Sequence, residues 1–261
     1  MRKTSIGLWL GSLFAYAFLY LPLAIVVIYS FNDSRLNAEW VGFTLSWYQK
    51  LFSNHDMRLA AMNSLIIAIT SGTLATILGT AAGIGMHKLK ARWLSLLVLA
   101  PVAMPEILLG VSLLLFFLQV LNLTLGMVSI ILAHTTFSIG FVAIVVNARL
   151  AGVDDNIFEA AKDLGASPWR TFKEITFPLI KPAVIAGAVM AFTLSLDDFV
   201  ITFFTAGVGV STLPLQIYSM IKVAVTPEIN ALSSLLMLLT LSVILITSRL
   251  TPDLLAAQKE K

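Results

Sequence analysis

The sequence predicts an all-α integral membrane protein with six transmembrane helices. Three observations carry this. The chain is 58% hydrophobic and only 12% charged, with a mean hydropathy of +0.92, whereas soluble domains carry about 25% charged residues. Its apolar residues fall in long runs, and 261 residues hold about six spans of roughly 20 residues with short connections. The basic residues crowd into alternate connecting segments.

Taken in order, Arg2 and Lys3 precede an apolar run from about Ile6 to Phe31. Ala15-Tyr16-Ala17 imitates a signal-peptide cleavage site, but the run continues well past it and reads as a first span. Asn32 to Ala61 is polar and carries Trp40 and Trp47, as suits an external loop with interfacial aromatics. The second span, about Met62 to Met86, holds Gly79 and Gly83 at the spacing that lets another helix approach closely. His87, Lys88, Lys90 and Arg92 form a basic turn. The third span, about Trp93 to Val120, is interrupted by Pro101, Pro105 and Glu106. The fourth runs from about Leu125 to Val146, the fifth from about Pro182 to Phe204, and the sixth from about Ala231 to Ser248. The expected organisation is a first helix with its external loop (1–61), a core of five spans (62–248) and a polar tail (249–261).

The charge count orients these spans. Of the 17 Lys and Arg, 13 fall at the N-terminus, the basic turn, the loop after the fourth span and the C-terminal end. The other four, Arg35, Lys50, Arg58 and Lys222, fall on the opposite side. Positive charge is retained in the cytoplasm, so both termini and the loop after the fourth span are expected there.

That loop has its own helical pattern. Asp154 and Asp155 suit a helix N-terminus, and Ile157, Ala161 and Leu164 recur at helical spacing as one apolar stripe. Gly165 suits the left-handed stop after such a helix. Ser167 and Pro168 read as a cap and first-turn proline starting a second short helix, with Trp169, Phe172 and Ile175 on its apolar face. Periodicity leaves two readings open: the first helix lies on the membrane or its own bundle, or it docks in a partner's groove.

Glu159-Ala160-Ala161, three residues, Gly165, nine residues, Ile175, one residue, Phe177 and Pro178 together resemble the EAA motif of bacterial ABC-importer permeases. The sequence departs from that motif at Phe177, where the family usually has leucine. The resemblance implies a type I importer (MetI-like) permease fold. It also implies a coupling helix near 155–166, with Glu159, Ala160, Ala161 and Gly165 at the cleft of a cytoplasmic ATPase.

The chain offers little for catalysis. It has no cysteine, and His55, His87 and His134 lie on separate segments, so no metal cluster is legible. It carries no G-x-x-x-x-G-K-[ST] phosphate loop, so ATP and its Mg are expected on a partner chain, with no cofactor on this one. A net charge of +3, distributed as the membrane dictates, does not point to nucleic acid.

The informative residues are acids inside spans. Asp197 and Asp198 lie about 15 residues into the fifth span, roughly 22 Å along a helix. Glu106 lies about 12 residues into the third, roughly 18 Å by the same rise. Charges at such depth face a polar cavity, satisfy freed backbone groups or pair with a neighbouring subunit's cation, and a pathway lined by acids favours a cationic substrate. On a continuous helix Asp198 shares a face with Ser195, Thr202 and Thr205, so it is the expected substrate-facing carboxylate and Asp197 the paired or capping one. His134, with Thr135 and Thr136, reads more readily as a helix–helix hydrogen-bonding cluster than as a ligand site.

Ser195-Leu196-Asp197-Asp198-Phe199-Val200 and Leu213-Pro214-Leu215-Gln216-Ile217-Tyr218-Ser219-Met220 resemble segments of polyamine (spermidine/putrescine) importer permeases, as does Tyr29-Ser30-Phe31-Asn32. The resemblance implies a non-catalytic subunit of the bacterial inner membrane, embedded in lipid. It implies pairing with a homologous second permease, an ATPase dimer and a periplasmic polyamine-binding protein. Tyr16 and Tyr20 could add cation–π contacts to such a substrate. An importer permease for ferric iron, thiamine or a phosphonate, and a cation channel or secondary carrier, remain open alternatives.

The charge asymmetry makes a direct expectation. With no native cysteine in the background, Ser167→Cys should react only with a reagent that crosses the inner membrane, and Ser53→Cys with an impermeant one. Labelling of Ser167→Cys from the periplasmic side of intact spheroplasts would reverse the orientation.

Overall fold

The computed structural model describes residues 6–34, 39–223 and 226–250. Arg2, Lys3, Arg35, Lys259 and Lys261 of the charge count lie outside the described residues, as does the tail beyond Leu250. The regular structure is helical, apart from an isolated antiparallel bridge between Asn32 and Phe43. The helices are α1 (Ile6–Tyr29), α2 (Ser46–Ser53), α3 (His55–Leu89), α4 (Arg92–Ala103), α5 (Glu106–Leu115), α6 (Met127–Ala151), α7 (Asn156–Asp163), α8 (Pro168–Thr171), α9 (Phe177–Asp197), α10 (Val200–Thr205), α11 (Leu213–Val223) and α12 (Pro227–Leu250). Single π-helical turns follow α5 (Phe116–Val120) and join α8 to α9 (Phe172–Thr176).

Two compact units form, Met1–Arg58 with Gln216–Ser242, and Leu59–Leu215 with Val243–Lys261. In the first, the chain leaving α1 is pinned through buried Asn32. Its Nδ2 donates to the Glu39 carbonyl at 2.7 Å, its Oδ1 accepts from the Val41 N–H at 2.9 Å, and its carbonyl accepts from Trp47 Nε1 at 2.8 Å. The Phe31 ring lies between Phe43 and Tyr48, both 5.3 Å away. Lys50 pairs at 3.3 Å with Glu228, whose carboxylate is buried, which ties α2 to the start of α12. This pair groups Gln216–Ser242 with the first helix, whereas the sequence places it in a five-span core from 62 to 248.

In the second unit α6 is central. Gly79 and Gly83 of α3 let α6 approach so closely that a Cβ on Gly79 would lie 2.6 Å from Val142 Cβ, and one on Gly83 2.8 Å from the Ala143 carbonyl oxygen. This is the close approach expected of that glycine pair. Val142, Val146 and Leu150 of α6 then pack with Ala75 of α3 and Ile180, Ala183 and Ala191 of α9 in one buried cluster. At 35 residues α3 is roughly 52 Å long, more than the roughly 30 Å hydrocarbon thickness. At one end Asn63 Nδ2 donates to the Ser211 carbonyl at 2.9 Å, and Ser64 Oγ accepts from the Leu213 N–H at 2.8 Å. At the other end His87 lies 3.9 Å from Asp155.

Several expected spans are corrected. Among the described residues four helical stretches are long and apolar enough to cross a membrane: Gly7–Tyr29, His55–Leu89, Met127–Ala151 and Pro168–Asp197. A fifth is a broken pair, Arg92–Ala103 with Glu106–Val120, bent by 106°. The predicted third span is thus not one straight helix. Pro105 has no N–H to continue α4 and disfavours helical backbone at Met104, which is extended at ψ 142°. Pro101, by contrast, is absorbed within α4. The second short helix of the loop after the fourth span is not separate from the fifth span, because Pro168–Asp197 runs on as one 30-residue element through the π turn. That span also stops at Asp197 rather than near Phe204. The last helix, α12, has 24 residues, and its apolar stretch among the described residues is Pro227–Ser242.

The α3–α6 approach supplies a stability test. A methyl at Gly83 meets backbone, which cannot swing away, whereas at Gly85 the nearest atom is Leu94 Cδ2 at 3.5 Å, ordinary contact. Overpacking costs about 1–3 kcal/mol. Gly83→Ala should lower the Tm of the detergent-solubilised subunit by several degrees, and Gly85→Ala should not. Equal Tm values for the two variants would contradict the close approach.

Candidate functional site

The site is built where two helices break beside α6. The first break separates α4 from α5, and Glu106 is the first residue of α5. The second is the break between α9 and α10, with Asp198 extended at φ −64°, ψ 123°. The two broken elements meet face to face. A Cβ on Gly110 of α5 would lie 2.7 Å from the Phe204 ring and 3.5 Å from Ile201 Cα. Leu109, Leu113, Phe117, Ala133 and Ile201 form the apolar cluster beneath. Glu106 lies one turn before Gly110 on α5 and Asp197 one turn before Ile201, while His134 meets Asp198 at 3.2 Å, so this packing sets both breaks beside α6.

Breaking a helix in an apolar bundle frees backbone N–H groups that need partners. Asp198 supplies them. Its Oδ2 accepts from the Thr202 N–H at 2.8 Å and from the Thr202 hydroxyl at 2.8 Å, and its Oδ1 lies 3.4 Å from the Ile201 N–H. His134 Nε2 reaches the same carboxylate at 3.2 Å and Thr202 Oγ1 at 2.9 Å. The side chains of His134 and Asp198 are only 2% and 8% exposed. On its other edge His134 Nδ1 meets Ser195 Oγ at 2.7 Å, and Ser71 of α3 donates to Ser195 Oγ at 3.0 Å. A buried polar chain therefore runs from α3 through α9 and α6 to α10.

This reverses the expectation for the two aspartates. Asp198 is the paired and capping residue, and Asp197 is exposed, as is Glu106. The helix-face argument fails because the helix ends at Asp197, so positions 195, 198 and 202 do not follow one continuous 100° repeat. Neither Asp197 nor Glu106 forms a salt bridge among the described residues. His134 is a helix–helix hydrogen-bonding residue, as the sequence suggests, but Thr135 and Thr136 bond to carbonyls of their own helix instead of joining it. The link between His134 and Asp198 is absent from the sequence reading. Its local trace is an aspartate four residues before a threonine, a capping pattern set inside an apolar run. Tyr16 and Tyr20 stack on each other on α1 and are exposed.

The second feature is the loop between α6 and α9. Asp154 Oδ1 accepts from the Asn156 N–H at 3.0 Å, while Asp155 makes no such side-chain cap. Helix α7 ends as the glycine predicts: Gly165 has φ +76°, its N–H donates to the Lys162 carbonyl at 2.9 Å, and the Ala166 N–H reaches the Ala161 carbonyl at 3.0 Å. This paired closure needs a left-handed residue, which glycine adopts without strain. Ser167 Oγ then accepts from the Arg170 N–H at 3.3 Å, the cap expected of it. The predicted apolar stripe divides. Ala161 is buried and Phe158 packs on the α6–α9 core, while Leu164 is 88% and Trp169 71% exposed. Glu159 and Ala160 are exposed beside them. A rigid, capped helix thus leans on its own bundle and presents large apolar side chains outward. A cavity of about 230 Å³, lined by residues including His87, Lys88, Lys90 and Phe158, lies under it.

Comparison with known proteins fits this architecture. Residues 75–256 match the family of binding-protein-dependent transport system inner membrane components. The chain is 40% identical to the spermidine/putrescine transport system permease protein PotC of Escherichia coli (strain K12), over 91% of each chain. It is 42% identical to the putrescine transport system permease protein PotI of the same organism, over 86% of this chain and 83% of that one. Among solved structures, a chain of the inward-facing MetNI methionine ABC transporter superposes with a TM-score of 0.66 at 18% identity, covering 77% of this chain and 98% of that one, a likeness of fold. With apolar helices long enough to span a bilayer, a capped helix presenting its apolar side chains outward and a family match over most of its length, the chain belongs to the inner-membrane permease components of binding-protein-dependent ABC importers.

Proposed function

We propose that the chain is the permease subunit of an ATP-driven importer of polyamines, spermidine or putrescine. The observation that carries the substrate class is the pair of exposed carboxylates, Glu106 and Asp197, set at two helix breaks whose flanking helices α5 and α10 pack together. Acids without salt-bridge partners inside a membrane bundle suit a water-filled path and an organic cation, whose ammonium groups lose hydration there. The 40% identity to a spermidine/putrescine permease supports the same reading. Asp198 is spent on the backbone and on His134, so the pathway role passes to Asp197 and Glu106.

In this reading the chain crosses the bacterial inner membrane six times with both termini in the cytoplasm, counting the broken pair as one span and α12 as another. It pairs with a homologous permease, a dimer of ATPases and a periplasmic polyamine-binding protein. Leu164 and Trp169 insert into the ATPase cleft beside Glu159, Ala160 and Gly165. The element Pro168–Asp197, 30 residues and roughly 45 Å long, starts at that loop and ends at the carboxylate pair. Its movement by the ATPase carries the pathway carboxylates between outward and inward access. The π turn at Phe172–Thr176 supplies a defect in its hydrogen-bond ladder, where such helices bend.

Two measurements test this. In proteoliposomes holding the whole complex, Asp197→Asn and Glu106→Gln should each raise the KM for polyamine uptake ten- to a hundred-fold, roughly the 1.5–3 kcal/mol of one hydrogen bond to a charged group. Unchanged KM in both, or ATP hydrolysis stimulated by ferric iron, thiamine or a phosphonate and by neither polyamine, would overturn the substrate assignment. Leu164→Asp removes outward apolar surface without unpacking the bundle. It should insert normally yet lose most substrate-stimulated ATP hydrolysis and release the ATPase on purification. Normal hydrolysis would leave α7 a structural element only.

A further inference from the structure

The buried chain from Ser71 to Asp198 has a direction. The Thr202 hydroxyl donates to Asp198 Oδ2, so its oxygen is left to accept, and His134 Nε2, 2.9 Å away, is the donor. On the other edge Ser195 Oγ holds His134 Nδ1 at 2.7 Å and is itself 3.0 Å from Ser71 Oγ, whose hydrogen also has the Ile67 carbonyl at 2.7 Å. The ring therefore carries a proton on Nε2, and donation runs from His134 to Thr202 and Asp198. The chain joins four helices, and both ends of the imidazole are used.

The consequence is a count of charges. Three carboxylates gather at the breaks, and Asp198 turns away from solvent into the Thr202 N–H, the Thr202 hydroxyl and His134. Two remain exposed, Asp197 and Glu106. A third exposed carboxylate would bind a polycation more tightly and release it more slowly, and release is needed as much as binding in a conducting path.

We propose that His134 is a positioning residue for transport: held by Ser195 at Nδ1 and donating through Nε2, it keeps Asp198 out of the pathway, so that the substrate meets two carboxylates and not three. This rests on the assignment of Asp197 and Glu106 to the pathway. His134 acts through Asp198 and does not touch substrate.

The role predicts a particular kinetic pattern. His134→Leu keeps an apolar side chain in the site but frees the carboxylate. It should leave the KM for spermidine uptake unchanged or lower it, while the maximal uptake rate falls at least ten-fold. His134→Gln can accept from Ser195 through Oε1 and donate to Thr202 and Asp198 through Nε2, so it should retain at least half the wild-type rate. Adding Asp198→Asn to His134→Leu removes the freed charge and should restore the rate several-fold, the non-additivity expected of coupled residues. Asp198→Asn alone should leave KM within two-fold of wild type.

The measurement is spermidine uptake by the reconstituted complex, normalised to inserted subunit. If His134→Leu fails to insert, His134→Gln and Asp198→Asn decide the matter. A His134→Gln variant as impaired as His134→Leu, or one slow with wild-type insertion when His134→Leu cannot be read, would overturn the hydrogen-bonding role. An Asp198→Asn variant whose KM rises ten-fold would place Asp198 in the pathway and overturn the inference while leaving the carboxylate reading of the path intact. Unchanged KM in Asp197→Asn and Glu106→Gln would instead remove the reading on which it rests.

Discussion

The structure depends on how a helix is broken inside an apolar bundle. Where α9 stops at Asp197 the following turn has lost its intrahelical acceptors, and no water is guaranteed to replace them. Asp198 meets that need with two oxygens aimed at the Ile201 and Thr202 N–H groups. A buried carboxylate is itself costly without hydrogen bonds. His134 and the Thr202 hydroxyl supply them, and Ser195 and Ser71 hold His134 in place. Each group in the chain is satisfied by its neighbour, which is the condition under which a buried polar network rigidifies a fold rather than weakening it.

The break has a geometric result as well. It turns α10 back against α5, and Gly110 lets the two pack closely enough to bring the α4–α5 break to the same place. Two interrupted elements therefore sit together, each ending or beginning with an exposed acid. The apolar cluster of Leu109, Leu113, Phe117, Ala133 and Ile201 fixes their relative position, so Asp197 and Glu106 are held by packed helices and not by loops. Polar function at this depth is possible because the surrounding contacts are apolar and close.

The loop between α6 and α9 solves the opposite problem. A helix of eight residues has too few internal hydrogen bonds to persist alone. Ala161 and Phe158 anchor it to the α6–α9 core, and the Gly165 closure ends it cleanly. With the helix so fixed, Leu164 and Trp169 stay on its outer side, together with the neighbouring Glu159 and Ala160. The same chain then continues without interruption into the element that ends at Asp197.

Much of this was legible from the residues alone. Composition and apolar run length determine that the chain is helical and membrane-embedded, because backbone groups in lipid must pair within their own segment. The spacing of Gly79 and Gly83 foretells a close helix contact, and Gly165 a left-handed stop, because each depends on the lack of a Cβ at that position. Glu159 and its neighbours mark the loop between α6 and α9 by motif. The tertiary structure alone decided which aspartate is exposed. Periodicity assumes that a helix continues, and the sequence around Asp197 and Asp198 contains no proline or glycine to announce a break. The break is held by His134, distant in sequence and adjacent in space, and that kind of stabilisation leaves no local pattern. The bend of 106° at Met104–Pro105 is similar: proline marks the position, but Pro101 is accommodated within α4, and only the packing of α5 on α10 shows why one proline is absorbed and the other turns the chain.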